Sequence, residues 1–92
     1  MLIIRRVEGL SMLPTFSHGK LVVGWRFKRP RVGDVVIAKH HRLELIKRIS
    51  ELHDGKVFLL GDNAQASTDS RQFGWLPITS IMAVVVTRRR TI

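Results

Sequence analysis

Ser11, Lys47 and Ser67 of this 92-residue chain are of types that could support acyl-transfer chemistry, and their surroundings in the sequence make them the candidates. A serine hydroxyl attacks a carbonyl carbon readily only when a base removes its proton, and a lysine can be that base only when its surroundings keep it neutral. The sequence therefore poses two questions: whether Lys47 is removed from water, and whether Ser11 is held in a fixed position.

Lys47 lies in an apolar segment that alternates like a β-strand. Because side chains two residues apart share one face of a strand, Lys47 shares its face with Leu43, Leu45 and Ile49. A lysine in such a row loses water, and desolvation lowers its pKa toward that of a general base. The alternative is an outward face at an exposed edge, with Lys47 as a solubilising residue. Ile46 on the opposite face leaves both interpretations open.

Ser11 lies in an irregular segment between Gly9 and Pro14. A serine in such a loop is ordinarily a turn former. Here, however, Pro14 restricts Leu13 to extended conformations, and Met12 could pack beneath the loop. A stiff loop can hold a hydroxyl and the neighbouring backbone N–H in place, as an oxyanion site requires.

A third polar segment, residues 61–74, follows the apolar strand 56–60. We expect Asp62, Asp69 and Arg71 to form a partly buried ion-pair network, and Ser67 to share a hydrogen bond with a neutral lysine. Two aspartates beside a basic surplus predict no calcium site, and the absence of cysteine excludes disulfides and thiolate metal sites. No metal and no cofactor are therefore expected.

The composition is strongly basic, with 16 Lys and Arg against 7 Asp and Glu and a net charge of +9. The basic clusters are solvated strand ends and loops, or they meet anionic lipid or an acidic polypeptide. Nucleic acid is disfavoured because the aromatic residues form no RNA-binding signature with the basic ones. We assign the four histidines to surface turns. The basic clusters lie at residues 5–6, 26–31, 39–42 and 88–90.

Short apolar stretches separated by Gly, Pro and Asp predict one mostly β domain over residues 1–92. Turns are expected at 31–34 and 53–56, the second within a hairpin, and one helical turn at 77–80. No apolar run reaches the roughly 18 to 20 residues of a bilayer span, and no signal peptide is visible, so we expect a cytoplasmic location. The predicted strands are 3–7, 21–27, 34–39, 43–51, 56–60 and 81–88.

Four segments in order resemble the type I signal peptidase family over residues 9–86. They are Ser11-Met12-Leu13-Pro14-Thr15, then Gly-Asp-Val-Val at 33–36, then Lys47-Arg48, and finally the Gly-Asp-Asn loop with its Ser-Thr-Asp-Ser-Arg-Gln-Phe-Gly ending at 61–74.

The resemblance implies a compact antiparallel, barrel-like β fold and a serine endopeptidase that binds its substrate as an extended strand. By position, Ser11 is the nucleophile and Lys47 the general base, Ser67 orients the lysine, and Asp69 and Arg71 form a supporting ion pair. Met12 is expected to contact the substrate. Many members carry a hydroxyl two residues before the nucleophile as a second oxyanion donor, and this chain has Gly9 there.

In its small size and in the sequence of residues 29–36 and 66–71, the chain looks most like the small nickel-type superoxide dismutase maturation proteases. These proteases remove an N-terminal extension from a precursor polypeptide, so that precursor is the implied partner. The alternatives are a generic signal-peptidase-like processing enzyme, a self-cleaving repressor-type domain, and an inactive basic β-barrel binding module. Peripheral contact with a membrane through the basic surface also stays open.

Overall fold

The computed structural model describes residues 1–87. Seven strands form one sheet in which every pairing is antiparallel. The mostly β fold is therefore confirmed. The strands are β1 (Leu2–Arg6), β2 (Leu21–Trp25), β3 (Val35–His40), β4 (Leu43–His53), β5 (Lys56–Leu60), β6 (Leu76–Pro77) and β7 (Ile81–Val85).

The strand order in the sheet is β1-β2-β7-β3-β4-β5-β6. Within residues 1–87 no pairing joins β1 to β6, so the sheet stays open instead of closing into a barrel. The sheet is nevertheless curled, as a contact between two strands that are not neighbours shows. Arg5 of β1 forms an ion pair with Glu44 of β4. The curl creates a space between β1 and β4.

Two tight hairpins shape the strongest part of the sheet. Asp54 and Gly55 join β4 to β5 with positive φ values of 49° and 72°, as the Asp-Gly pair predicts. His41 and Arg42 join β3 to β4 with φ values of 48° and 68°. This second hairpin was not predicted as a turn because its two central residues include no Gly, Asn or Asp, the usual markers of such a turn.

Two apolar clusters lie on the sheet. One centres on β3, β4 and β5 and includes Val36, Ile49 and Leu59, all buried. The other packs the serine loop onto the sheet, with Met12 completely buried beside Phe16. The loop around Ser11 is therefore anchored by its own apolar residues, as the sequence predicts for Met12.

All six predicted strands are present, with ends displaced by a few residues. The expected helical turn is a 3₁₀ turn at Ile78–Ser80. The sequence interpretation missed β6 and a short helix, α1 (Ser70–Phe73), which begins at a capping box formed by Asp69 and Gln72. The last strand ends at Val85, and the predicted end at Arg88 lies outside the described residues. Within residues 1–87 no helix has the length and apolar character that a bilayer span needs.

Candidate active site

Lys47 is a buried amine in an otherwise apolar row. Its residue is only 6% exposed, at a point where β4 pairs with Val36 of the central strand β3. Burial lowers its pKa from the ordinary value of 10.5, the nearby Asp69 carboxylate raises it, and Arg71 lowers it, so the net direction is downward. Of the two interpretations of the alternation, the structure therefore selects the buried face.

The Lys47 amine is oriented by Ser67. Lys47 Nζ donates to Ser67 Oγ at 3.2 Å, and Ser67 Oγ donates in turn to Asp69 Oδ2 at 2.6 Å. Since the single hydroxyl proton of Ser67 points to Asp69, the oxygen presents a lone pair to the lysine. When Lys47 is neutral, one of its N–H groups donates to Ser67, and the nitrogen lone pair is not engaged by Ser67.

Asp69 is the anchor of this chain of hydrogen bonds and is completely buried. Burial alone raises the pKa of a carboxyl, but Asp69 accepts from the Arg71 guanidinium, from Ser67 and from the backbone N–H groups of Gly61 and Arg71. These donors hold its pKa far below the usual range. Asp69 is therefore a fixed negative charge at any pH at which the protein works.

Ser11 is held from the other side by Asn63. The backbone N–H of Asn63 donates to Ser11 O at 2.7 Å, and its side-chain amide donates to Leu10 O at 3.0 Å. The residue at 61 must be glycine for this approach, because an added Cβ would lie 2.2 Å from Ser67 Oγ and 2.8 Å from Ser11 O. The polar loop, residues 61–74, thus contacts the loop around Ser11 and also carries Ser67, the hydrogen-bond partner of Lys47.

Asp62 belongs to a different ion pair from the one predicted. It accepts from Arg48 Nε at 2.9 Å and from Arg48 Nη2 at 2.8 Å, and from Thr15 Oγ1 at 2.5 Å, whereas Asp69 pairs with Arg71. The predicted three-residue network was wrong on this point. Arg48 points to the opposite face of β4 from Lys47, so it reaches a separate carboxylate that ties the serine loop to β4.

Ser11 and Lys47 line one cavity of about 280 Å³ between β1 and β4. The hydrogen bond of Lys47 runs to Ser67, and Ser11 shares the cavity with the amine. Met12 also contributes to the lining although it is completely buried in the core. The structure therefore places Met12 beneath the loop, and its contact with a substrate stays a prediction.

The backbone conformation explains why glycine occupies position 9. Its φ is +81°, and its N–H donates to His18 Nδ1 at 2.9 Å. A residue with a side chain would be strained at this φ value. The backbone therefore disfavours a serine at position 9, which would supply the second hydroxyl donor found in many family members. Of the four histidines predicted at surface turns, His18 and His41 lie in turns, whereas His40 and His53 are the last residues of β3 and β4. The contact of His18 with the serine loop was not predicted because no local pattern links the two.

Among residues 1–87 no group of three or more His, Asp or Glu side chains is placed to hold a metal ion.

Replacing Asp69 with Asn should lower the pKa of Lys47 further, because the substitution removes the negative charge that favours the ammonium form. The midpoint is measured by NMR of ¹³C-labelled lysine side chains during a pH titration. Asp54→Asn is the matched control, since Asp54 is an exposed carboxylate at the far hairpin and should leave the midpoint unchanged. A Lys47 midpoint that rises in Asp69→Asn, in a protein whose amide spectrum is still native, would contradict this account of the site.

Comparison with known proteins identifies the family of the chain. No curated protein matches the chain. The sequence model of the Peptidase S24-like family matches residues 1–86, nearly the whole of the part that the structure describes. This family covers repressor-type and signal-peptidase-like serine peptidases, so the match supports a serine peptidase. The chain belongs to the Peptidase S24-like family.

Proposed function

We propose that the protein is a serine endopeptidase in which Ser11 is the nucleophile and Lys47 the general base. The observation that carries the proposal is the buried Lys47 amine, with its pKa lowered, oriented by Ser67 beside the cavity that Ser11 lines. Few other roles explain a lysine that is desolvated yet faces a cavity containing a serine hydroxyl.

In the proposed reaction the neutral Lys47 amine takes the proton of Ser11 Oγ while Oγ attacks the peptide carbonyl carbon. The tetrahedral intermediate collapses, Lys47 returns the proton to the leaving amine, and an acyl ester remains on Ser11. Lys47 then takes a proton from the water molecule that attacks the ester, and it returns that proton to Ser11 Oγ as the ester bond breaks and the carboxyl product leaves. Ser67 and the pair Asp69 and Arg71 act by positioning the amine.

The backbone N–H of Ser11 is the proposed donor to the developing oxyanion. The usual second hydroxyl is replaced by Gly9, whose own N–H already donates to His18. With one donor fewer, stabilisation of the oxyanion depends more on a loop that holds the Ser11 N–H in place. The two hydrogen bonds that Asn63 donates to the carbonyls of Leu10 and Ser11 make the loop rigid.

The proposed substrate is an extended polypeptide lying between β1 and β4. Strand β5 pairs with β4 only between Arg48 and His53, and β1 pairs with β2 alone among the described strands. The segment of β4 that ends at Lys47 therefore offers a backbone edge to the cavity. A peptide strand can hydrogen-bond along such an edge with its scissile bond beside Ser11.

The finer proposal is that the substrate is a precursor protein that loses an N-terminal extension, with the nickel superoxide dismutase precursor as the first candidate. Its support is the resemblance of residues 29–36 and 66–71 to the maturation proteases of that enzyme. In this scheme any nickel belongs to the substrate. A generic signal-peptide-like precursor is the second candidate, and a cytoplasmic location stays a prediction.

Ser11→Ala and Lys47→Met should each lower peptide-bond cleavage by on the order of 10³-fold or more while the fold persists. Methionine keeps the apolar stem of Lys47, and alanine removes only a hydroxyl. Lys47→Arg should be equally inactive, because a guanidinium does not lose its proton in the working range. Cleavage is followed by mass spectrometry, and thermal unfolding checks the fold.

Ser17→Ala and Lys39→Met are matched controls, since both residues are exposed and lie on the same loop and the neighbouring strand. Near-normal cleavage is expected from both. If Ser11→Ala and Lys47→Met also left cleavage unchanged, the dyad would be wrong and the inactive binding module would be the better interpretation.

Co-expression of a nickel superoxide dismutase precursor with the wild-type protein should yield a precursor shortened at its N-terminus, and co-expression with Ser11→Ala should not. Intact mass measures both chains in one experiment. A precursor that keeps its full mass with the wild-type protein would contradict this substrate. Shortening of the peptidase chain itself, lost in Ser11→Ala, would point to the self-cleaving alternative.

A further inference from the structure

One face of the β1–β2 pair is apolar and exposed. Cross-strand partners share a face, and the register pairs Leu2 with Trp25 and Ile4 with Val23. Leu2 is 58% exposed and Ile4 is 61% exposed. Leu21, half exposed, extends the same row. Isolated exposed leucines are ordinary in proteins, but a contiguous row on one sheet face indicates a binding surface.

The turn after β2 enlarges this surface with aromatic rings. Phe27 is 74% exposed, the most of any large apolar side chain among the described residues. Its ring lies edge-to-face against Trp25, with centroids 5.8 Å apart. The N–H of Arg26 donates to Met1 O at 3.1 Å, so the turn is tied to the start of β1. Both rings are therefore held together in solvent at one end of the apolar row.

Basic residues lie at both ends of the row. Arg26, Lys28 and Arg29 follow Trp25 in the chain and are all exposed, and the chain has no acidic residue between Glu8 and Asp34. At the other end Arg6 pairs with Leu21 on the same face. The surface is thus apolar at its centre and positively charged at its two ends.

We propose that this surface, defined by Leu2, Ile4, Leu21, Trp25 and Phe27 with the adjoining basic residues, docks the protein on an anionic lipid bilayer. Tryptophan favours the level of the lipid headgroups, phenylalanine enters the acyl boundary, and Lys and Arg meet the anionic headgroups. A second copy of the chain fits less well, because a symmetric contact would bring the basic residues of both copies together.

The proposal does not depend on the peptidase chemistry. Strand β1 carries the docking row on one face, while Arg5, whose side chain alternates to the other face, lines the cavity and contacts Glu44. Lipid bound to the docking row therefore lies on the opposite face of β1 from the Arg5 side chain.

Co-sedimentation of the full chain with lipid vesicles tests the proposal. The protein should bind vesicles that contain phosphatidylglycerol and should bind pure phosphatidylcholine vesicles far more weakly. Phe27→Ser should weaken partitioning by on the order of tenfold, since it removes the most exposed anchor. Leu43→Ser is the matched control, because Leu43 is 66% exposed at the start of β4, a strand that pairs with β3 and β5 and not with β1 or β2. Its partitioning should equal that of the wild-type protein.

Fluorescence gives an independent readout. In a Trp75→Phe background the remaining Trp25 should shift to shorter wavelength when phosphatidylglycerol vesicles are added, and Lys28→Gln with Arg29→Gln should reduce the shift. Equal partitioning of Phe27→Ser and Leu43→Ser, or an unshifted Trp25 on bound protein, would overturn the proposal. A dimer in solution that Phe27→Ser dissociates would also overturn it, in favour of a second copy on this face.

Discussion

The burial of the Lys47 amine is the constraint on which the rest of the structure depends. A buried ammonium is unfavourable unless it is paired, and here the nearest negative charge, Asp69, lies behind Ser67 and is already engaged by Arg71. Asp69 therefore orients Lys47 through the Ser67 hydroxyl. Its carboxylate compensates the positive charge of a protonated Lys47 only in part. This balance keeps the pKa of Lys47 below that of an exposed lysine.

The same balance affects folding. Because the pKa of Lys47 is lowered in the folded state, the unfolded chain binds more protons between the lowered value and the ordinary one. The Lys47 contribution to stability therefore increases as pH rises through that window, and it is unfavourable below it. The ion pairs of Asp69 with Arg71 and of Asp62 with Arg48 stabilise the loops around the amine, since both carboxylates have lowered pKa values. The site combines one destabilising charge with two well-paired ones.

Much of this arrangement can be predicted from the sequence where local pattern decides it. The strand alternation around Lys47, the Asp-Gly hairpin and the anchoring of Met12 follow from side-chain periodicity and turn chemistry, and the structure agrees with each. Tertiary partners do not follow from local pattern. Asp62 was expected in one network with Asp69 and Arg71, whereas Arg48 reaches it across the fold. The turn at His41 and Arg42 was missed for a related reason, since strand pairing imposes backbone angles that these residues rarely choose alone.

Gly61 and Asn63 show why the position of the Ser11 loop could not be derived from the residues of that loop. Ser11 has few local features that distinguish it from an ordinary turn serine. Its position is set by a distant loop, through the Asn63 hydrogen bonds and the close approach that Gly61 permits. The family resemblance predicted that these segments act together, and the sheet explains how, because β5 ends opposite Arg48 and so brings the polar loop next to Lys47 in the middle of β4.

The most direct test of the central claim is the rate at which Ser11 is acylated by an activated ester in a single turnover, measured against pH by quenching, intact mass and peptide mapping. The account predicts one acyl group on Ser11, formed at a rate that rises with pH and levels off as Lys47 loses its proton, with a midpoint below 10.5. Acylation of Ser11 at a rate that does not follow the Lys47 titration, or acylation at another serine, would contradict it.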